Sequence, residues 1–450
     1  MAEKELKRQR SGNCRISQCI IVKNEEKNIE RALSWGRDIM WERVVVDTGS
    51  TDRTVELAEK MGATVYSFPW TDDFAAAKNY ALEKAQGDWI AFLDADEYMM
   101  PEDAAKLKEI LDGAEGERFD GISTGWQQLD EKGAIFSSGT QVRFFRNVED
   151  IRYRRRIHEQ LESTSGRELI LGDVTASLSI FHTGYQKQAM EEKTRSGRNR
   201  KLISKELEDH PHDYEMQGYM GDEFFGEGDR REAEKWYRKS IRNMPAILRK
   251  NDQRSASTYT NLLIILTEGE GSSWDTVGPI YQSAVEHLPE EADFDYIAGR
   301  YFASIGQAGL AVKYLEFALD KLNRFGCFNK ALRLAGNLMD AYDLLVRCCF
   351  EAGEKEKCVS YGAACLRYDK YAMAVLARML MCLAPNVGRM GEGENLYGQV
   401  LTFLSSLYDM GSLKEKVFLW KTADSAGCSD FAFYLGSQVF SEAERSALGI

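Results

Sequence analysis

Between residues 16 and 93 short apolar runs alternate with helical patterns, and that alternation limits the fold more than any other feature of the chain. Ile16 to Val22 reads as a strand, Lys27 to Trp35 as a helix, Arg43 to Val46 as a buried strand and Arg53 to Met61 as a helix. Thr64 to Phe68 follows as a short strand, Asp73 to Ala85 as a helix and Trp89 to Leu93 as a fourth strand. Strands apolar along their whole length are buried on both faces. The pattern therefore predicts a mostly parallel, doubly wound α/β sheet with its ligand site at the carboxyl ends of the strands. The polar clusters fall there: Lys23-Asn24-Glu25-Glu26 after the first strand, Asp47-Thr48-Gly49-Ser50-Thr51-Asp52 after the second, and Asp94-Ala95-Asp96-Glu97 after the fourth.

From about 118 to 182 the pattern becomes antiparallel-looking, with Gly121 to Trp126, Gln141 to Phe145 and Gly172 to His182 predicted to extend the sheet and wall the site. Lys187 to Glu208 reads as a charged helix leading out of this domain. The remainder is all-α and carries a degenerate repeat. Gly228, Ala233, Tyr237, Ser240 and Pro245 have the offsets of a tetratricopeptide unit, in which small residues let two helices pack. Tyr281, Ala284 and Pro289 repeat three of them, Gly306, Ala311 and Ala318 the small positions, and Gly353, Cys358 and Cys365 a weaker match. Ala284 and Ala318 are 34 residues apart, while spacings of 44 and 47 elsewhere imply insertions. A generic antiparallel helical domain is the alternative. The expected organisation is a disordered basic tail over 1–13, a catalytic domain over 14–205, tetratricopeptide-like repeats over 206–383 and a helical extension over 384–450.

A net charge of −13 over 450 residues argues against a nucleic-acid partner, which demands a basic face. Nine cysteines at irregular spacing, including Cys348-Cys349, form neither a zinc pattern nor a disulfide framework, which fits a reducing cytoplasm. Met1 to Arg10 lacks an apolar signal core, and no run of roughly 18 apolar residues occurs, so secretion and membrane spanning are both disfavoured.

Asp94 and Asp96 lie one residue apart where the fourth strand surfaces, and i, i+2 side chains on an extended segment share a side, so both can converge on one divalent cation. Alone, such a pair is a weak signal. Together with Cys19-Ile20-Ile21-Val22-Lys23-Asn24-Glu25-Glu26, Val44-Val45-Val46-Asp47-Thr48-Gly49-Ser50-Thr51-Asp52 and Gly87-Asp88-Trp89-Ile90-Ala91-Phe92-Leu93-Asp94-Ala95-Asp96-Glu97, it resembles the inverting, metal-dependent family-two glycosyltransferases with a Rossmann-like GT-A fold. The likeness covers roughly residues 14 to 200. The appended helices look like those of bacterial members that modify peptides or proteins, including enzymes that glycosylate bacteriocin precursors.

That resemblance implies a nucleotide-diphosphate sugar donor whose leaving phosphate is neutralised by Mg²⁺ or Mn²⁺. Asp96 would be the direct ligand, Asp94 would contact ribose and share the metal through water, and His182, at the end of a predicted strand, would be a third ligand. Lys23, Asn24, Glu25 and Asp47 would line the nucleotide pocket, with Thr48 standing where many relatives carry a base-reading Asp. Lys78 could balance the diphosphate charge, or be a solvated lysine on a helix face. For the base that takes the nucleophile's proton, Glu159 comes first and Glu97 second, and one of His158 and Glu159 should face the site. Six arginines between Arg143 and Arg156 either hold an anion, with Arg143 innermost, or form a solvated loop. Trp126 and Tyr185 could stack on sugar or acceptor.

The expected activity is transfer of a hexose or N-acetylhexosamine, UDP-linked, to a peptide or protein acceptor presented along the repeats, which also offer a surface for homodimerisation. Two rivals remain at this stage. A nucleotidyltransferase needs a glycine-rich, arginine-bearing loop where this chain has Lys23-Asn24-Glu25-Glu26, and a non-catalytic interaction scaffold has no use for the acidic pair.

Overall fold

The computed structural model describes residues 14–113, 118–183, 197–249, 252–326, 332–386 and 394–449. The predicted tail over 1–13 and the first part of the helix expected from Lys187 lie outside them; the helix begins at Arg198. The chain divides into two compact units after His212.

In the first unit the strands are β1 (Ile16–Val22), β2 (Glu42–Asp47), β3 (Thr64–Ser67), β4 (Trp89–Phe92), β5 (Glu97–Met99), β6 (Gly121–Leu129), β7 (Ile135–Arg146), β8 (Ile151–Arg154), β9 (Gln160–Ser163), β10 (Leu171–Asp173) and β11 (Ser179–His182). One sheet runs β3-β2-β1-β4-β7-β6-β11-β5, with β10 pairing β6. β3, β2, β1 and β4 are parallel, and β7 joins β4 antiparallel, so the sheet changes character where the apolar alternation ends. The strand expected over Gly172 to His182 is two short ones parted by a turn.

Alternate strand residues serve opposite faces. Ile16, Ile20, Val22, Val45, Trp89 and Ala91 pack against the helices α1 (Ile29–Ser34), α2 (Thr54–Lys60) and α4 (Pro101–Asp112). Cys19, Val44, Val46, Ile90 and Phe92 face α3 (Phe74–Lys84). The Asp73 carboxylate caps α3 by accepting from the Ala76 amide at 2.9 Å. Ala75 and Ala77 of its alanine run are buried, and Ala75 packs in the same core as those strand residues.

In the second unit antiparallel helix pairs follow one another: 214–226 with 230–243, 253–268 with 274–287, 292–304 with 308–325, 338–351 with 355–368 and 413–425 with 429–439, while 373–383 packs against 355–368 and 394–404 against 429–439. Gly228, Gly306, Gly353 and Gly427 sit in the turns of four pairs with φ of 73 to 84°. That left-handed backbone ends the first helix of a pair without a Cβ penalty. One apolar core runs from Ala292 to Leu435 and includes Cys348, Cys349, Cys358 and Cys365. Within the first pair a Cβ on Gly221 would strike the ring of Tyr237, which is buried and held by a 2.7 Å hydrogen bond to Asp222. Gly221→Ala is therefore expected to destabilise this unit by about 1–3 kcal/mol, outweighing the roughly 1 kcal/mol that alanine gains in helix propensity. Chemical denaturation of the variant checks this.

Candidate active site

The acidic cluster lies in a tight turn rather than on the strand. β4 ends at Phe92, and the Glu97 amide donates back to the Asp94 carbonyl at 3.0 Å, which starts β5. The two carboxylates accordingly face different partners instead of converging.

Asp94 turns toward cationic side chains. Arg143 Nη2 on β7 donates to it at 2.8 Å, and Lys78 Nζ on α3 lies 3.4 Å away. Burial opposes ionisation, but Arg143 and then Lys78 hold the Asp94 carboxyl well below the usual carboxylate range. Lys78 is only 2% exposed, so it is not a solvated helix-face lysine. Its Nζ pairs with Glu159 at 2.6 Å and lies over the rings of Phe92 and Tyr153 at 5.2 and 5.1 Å. Burial alone would lower its pKa; Asp94 and Glu159 raise it above the ordinary lysine value. Both cations expected at the diphosphate are thus already committed to protein carboxylates. Arg143 spends the same Nη2 on Glu97 at 2.6 Å.

Glu97 is 1% exposed and its oxygens accept from Arg143, from the Asp94 amide at 2.9 Å and from Trp126 Nε1 at 2.9 Å. Burial pushes its carboxyl up while Arg143 pulls it down. A carboxylate so enclosed braces the turn, so the second candidate for the base is withdrawn. Glu159, on the loop between β8 and β9, stays partly exposed at the Lys78 pair. That loop holds Arg155 and His158 at positive φ, 77 and 52°.

Asp96 faces His182, the last residue of β11, with Oδ2 3.3 Å from Nε2. The Thr183 amide and hydroxyl both donate to the Asp96 carbonyl, at 3.0 and 3.1 Å, and Arg31 Nη2 donates to the Thr183 hydroxyl at 2.8 Å. Nothing in the sequence marks Arg31 or Thr183, since they meet only through the fold. Among the described residues no three His, Cys, Asp or Glu side chains gather into a closed metal cage. One carboxylate and one imidazole are nonetheless suitable donors for a divalent cation that takes its remaining ligands from substrate phosphates.

The other two polar clusters form a shared rim. Asn24, at φ 58°, accepts the Thr51 amide at 2.8 Å through Oδ1, and its own amide donates to Ser50 Oγ at 2.9 Å. The Glu25 amide donates to Thr54 Oγ1 at 2.7 Å and the Glu25 carboxylate accepts from Asn28 at 2.8 Å. Asp47 accepts the Gly49 and Ser50 amides, each at 3.1 Å. Asn24, Glu25 and Asp47 therefore tie the rim together through their own hydrogen bonds. Lys23 is exposed on it. Thr48 is buried and donates to the Val22 carbonyl at 3.0 Å.

The basic run does not act as one patch. Arg152 donates to the Val148 and Ile151 carbonyls, Arg154 pairs with Glu162, and Arg156 pairs with Asp209 at 2.5 Å on the helix α5 (Arg198–Asp209). Trp126 lies against His182 with ring centroids 4.9 Å apart, so one of its two faces is taken by the imidazole. Tyr185 lies outside the described residues.

Residues 17–192 match the family described as Glycosyl transferase family 2. Over 235 residues the chain is 33% identical to a TPR repeat-containing protein of Synechococcus elongatus, covering 50% of this chain and 56% of that one. It is 27% identical over 280 residues to the SPbeta prophage-derived glycosyltransferase SunS of Bacillus subtilis, covering 62% of this chain and 64% of that one. The chain thus spans less than two thirds of the length of either relative. Among solved structures, S. aureus TarS 1-349 is 16% identical, covers 71% of this chain and 92% of its own, and superposes with a TM-score of 0.30, too loosely to bear on the site. The chain therefore carries a glycosyl transferase family 2 domain at its amino end, followed by a helical region of TPR-like repeats.

Proposed function

We propose that the protein is an inverting glycosyltransferase that uses a nucleotide-diphosphate sugar, UDP-linked, with Mg²⁺ or Mn²⁺, and glycosylates a peptide or protein in the cytoplasm. The observation that carries this reading is the Asp96–His182 donor pair, 3.3 Å apart, with Asp96 in the turn between β4 and β5 and both residues inside the stretch that matches family two. A divalent cation bound there would offset the charge that develops on the departing diphosphate. The chain's own residues do the rest. Lys23 and the rim braced by Asn24, Glu25 and Asp47 receive the nucleotide, while Asp94, neutralised by Arg143 and Lys78, meets the ribose. Glu159 takes the proton of the acceptor nucleophile as that atom bonds to the anomeric carbon and the bond to the phosphate oxygen breaks. The eight described cysteines are all free, which supports a reducing compartment, and no described helix is long and apolar enough to cross a membrane.

The consecutive helix pairs, of the kind whose stacked surfaces hold extended chains, favour a polypeptide acceptor over a free glycan. Titration calorimetry with UDP-, GDP- and dTDP-sugars tests the donor assignment. UDP-sugars should bind, and more tightly with Mn²⁺ present. Absence of binding by every nucleotide sugar, with and without metal, overturns the reading.

A further inference from the structure

Trp126 has no part in the mechanism above, yet it links two of its groups. His182 is paired in register with Glu97 of β5 on one side and with Gln128 of β6 on the other. Trp126, two residues before Gln128, shares its face of the sheet. Its indole lies against the imidazole at 4.9 Å with the planes 25° apart, and Nε1 donates to Glu97 Oε1 at 2.9 Å. Glu97 is itself immobilised by Arg143 and by the Asp94 amide. The indole is therefore fixed at its polar edge by a buried carboxylate and offers its face to one ring. An imidazole on a strand turns broadly about its second side-chain torsion unless something packs against it.

We propose that Trp126 is the positioning residue for His182: the anchored indole holds the imidazole plane so that Nε2 faces Asp96, and a divalent cation meets a preorganised pair. This rests on the reading of Asp96 and His182 as cation donors. Groups that orient a metal-bound histidine typically change metal affinity by about 10–100-fold when removed.

The test uses the full chain with Trp126→Leu, which removes both contacts, and Trp126→Phe, which keeps a stacking ring. Circular dichroism melts check folding. In metal-free protein the His182 ring resonances, assigned by their loss in His182→Gln, should be shifted upfield by the indole ring current. That shift should vanish in Trp126→Leu and persist in part in Trp126→Phe. Mn²⁺ affinity in the presence of UDP, read from the electron paramagnetic resonance of free Mn²⁺, should fall by about 10-fold or more in Trp126→Leu and stay within about 3-fold in Trp126→Phe. No ring-current shift in the wild type overturns the inference whatever the metal does. A Trp126→Leu protein that folds and binds Mn²⁺ as the wild type does also overturns it. Failure of the wild type to bind Mn²⁺, with the ring-current shift present, instead overturns the cation reading of Asp96 and His182.

Discussion

Replacing Asp96 with Asn is expected to lower sugar transfer by about 10³-fold, or roughly 4 kcal/mol of transition-state stabilisation, while leaving the fold intact. The two halves of that expectation have separate structural grounds. The fold should survive because the Asp96 contact that organises the turn is its backbone carbonyl, which accepts from Thr183 and is unchanged in asparagine. The side chain, 24% exposed, meets His182 in a contact that an amide can partly reproduce. Melting should therefore shift by less than about 1 kcal/mol. Transfer should fail because an amide brings no charge to a cation site with one other protein donor among the described residues. Donor turnover, measured as release of free nucleotide diphosphate with saturating Mn²⁺, separates the two halves. Undiminished turnover would remove Asp96 from the chemistry, whereas a collapsed melt would make the residue structural.

The parallel half of the sheet was legible in the sequence because its strands are buried on both faces. Ile16 to Val22 and Val44 to Val46 read as strands for the same reason that they are core residues. β5 was not legible. It is three residues long and opens on Glu97, a buried charge that no propensity marks as strand. Missing it displaced the acidic pair from a turn to a strand tip and gave two carboxylates a common direction that they do not have. Lys78, Arg143 and Glu159 were each named, but as separate groups available to ligand. Charge pairing between residues 16 to 81 positions apart depends on which strand lies beside which, and period-two or helical patterning holds nothing about that. Gly228, Gly306 and Gly353 were legible as small repeat positions, but their part in the structure is the positive φ of the turns, which Gly427, unmarked in the sequence, shares.

The same long-range pairing makes Lys78 a position where a single substitution should cost the first unit heavily. Lys78→Met keeps the volume and the packing over Phe92 and Tyr153 but leaves Glu159 without its cation and Asp94 with Arg143 alone. Breaking one member out of a buried charge cluster costs about 3–5 kcal/mol. The effect should depend on pH in a definite direction. The folded pKa of Asp94 lies below its unfolded value and that of Lys78 above its own. Their contribution is therefore complete between about pH 4 and pH 10, and it fades as acid protonates Asp94 or alkali discharges Lys78. Urea denaturation of wild type and Lys78→Met at neutral pH should show the full difference, and the gap should narrow as the pH falls below about 4. Adding Glu159→Gln to Lys78→Met should recover part of the loss, since the stranded carboxylate is then removed. A Lys78→Met protein within about 1 kcal/mol of wild type at neutral pH would mean that Lys78 and Glu159 are solvated in solution. Glu159 would then be unrestrained, and its place as the base would have to be argued without the ion pair that aims it.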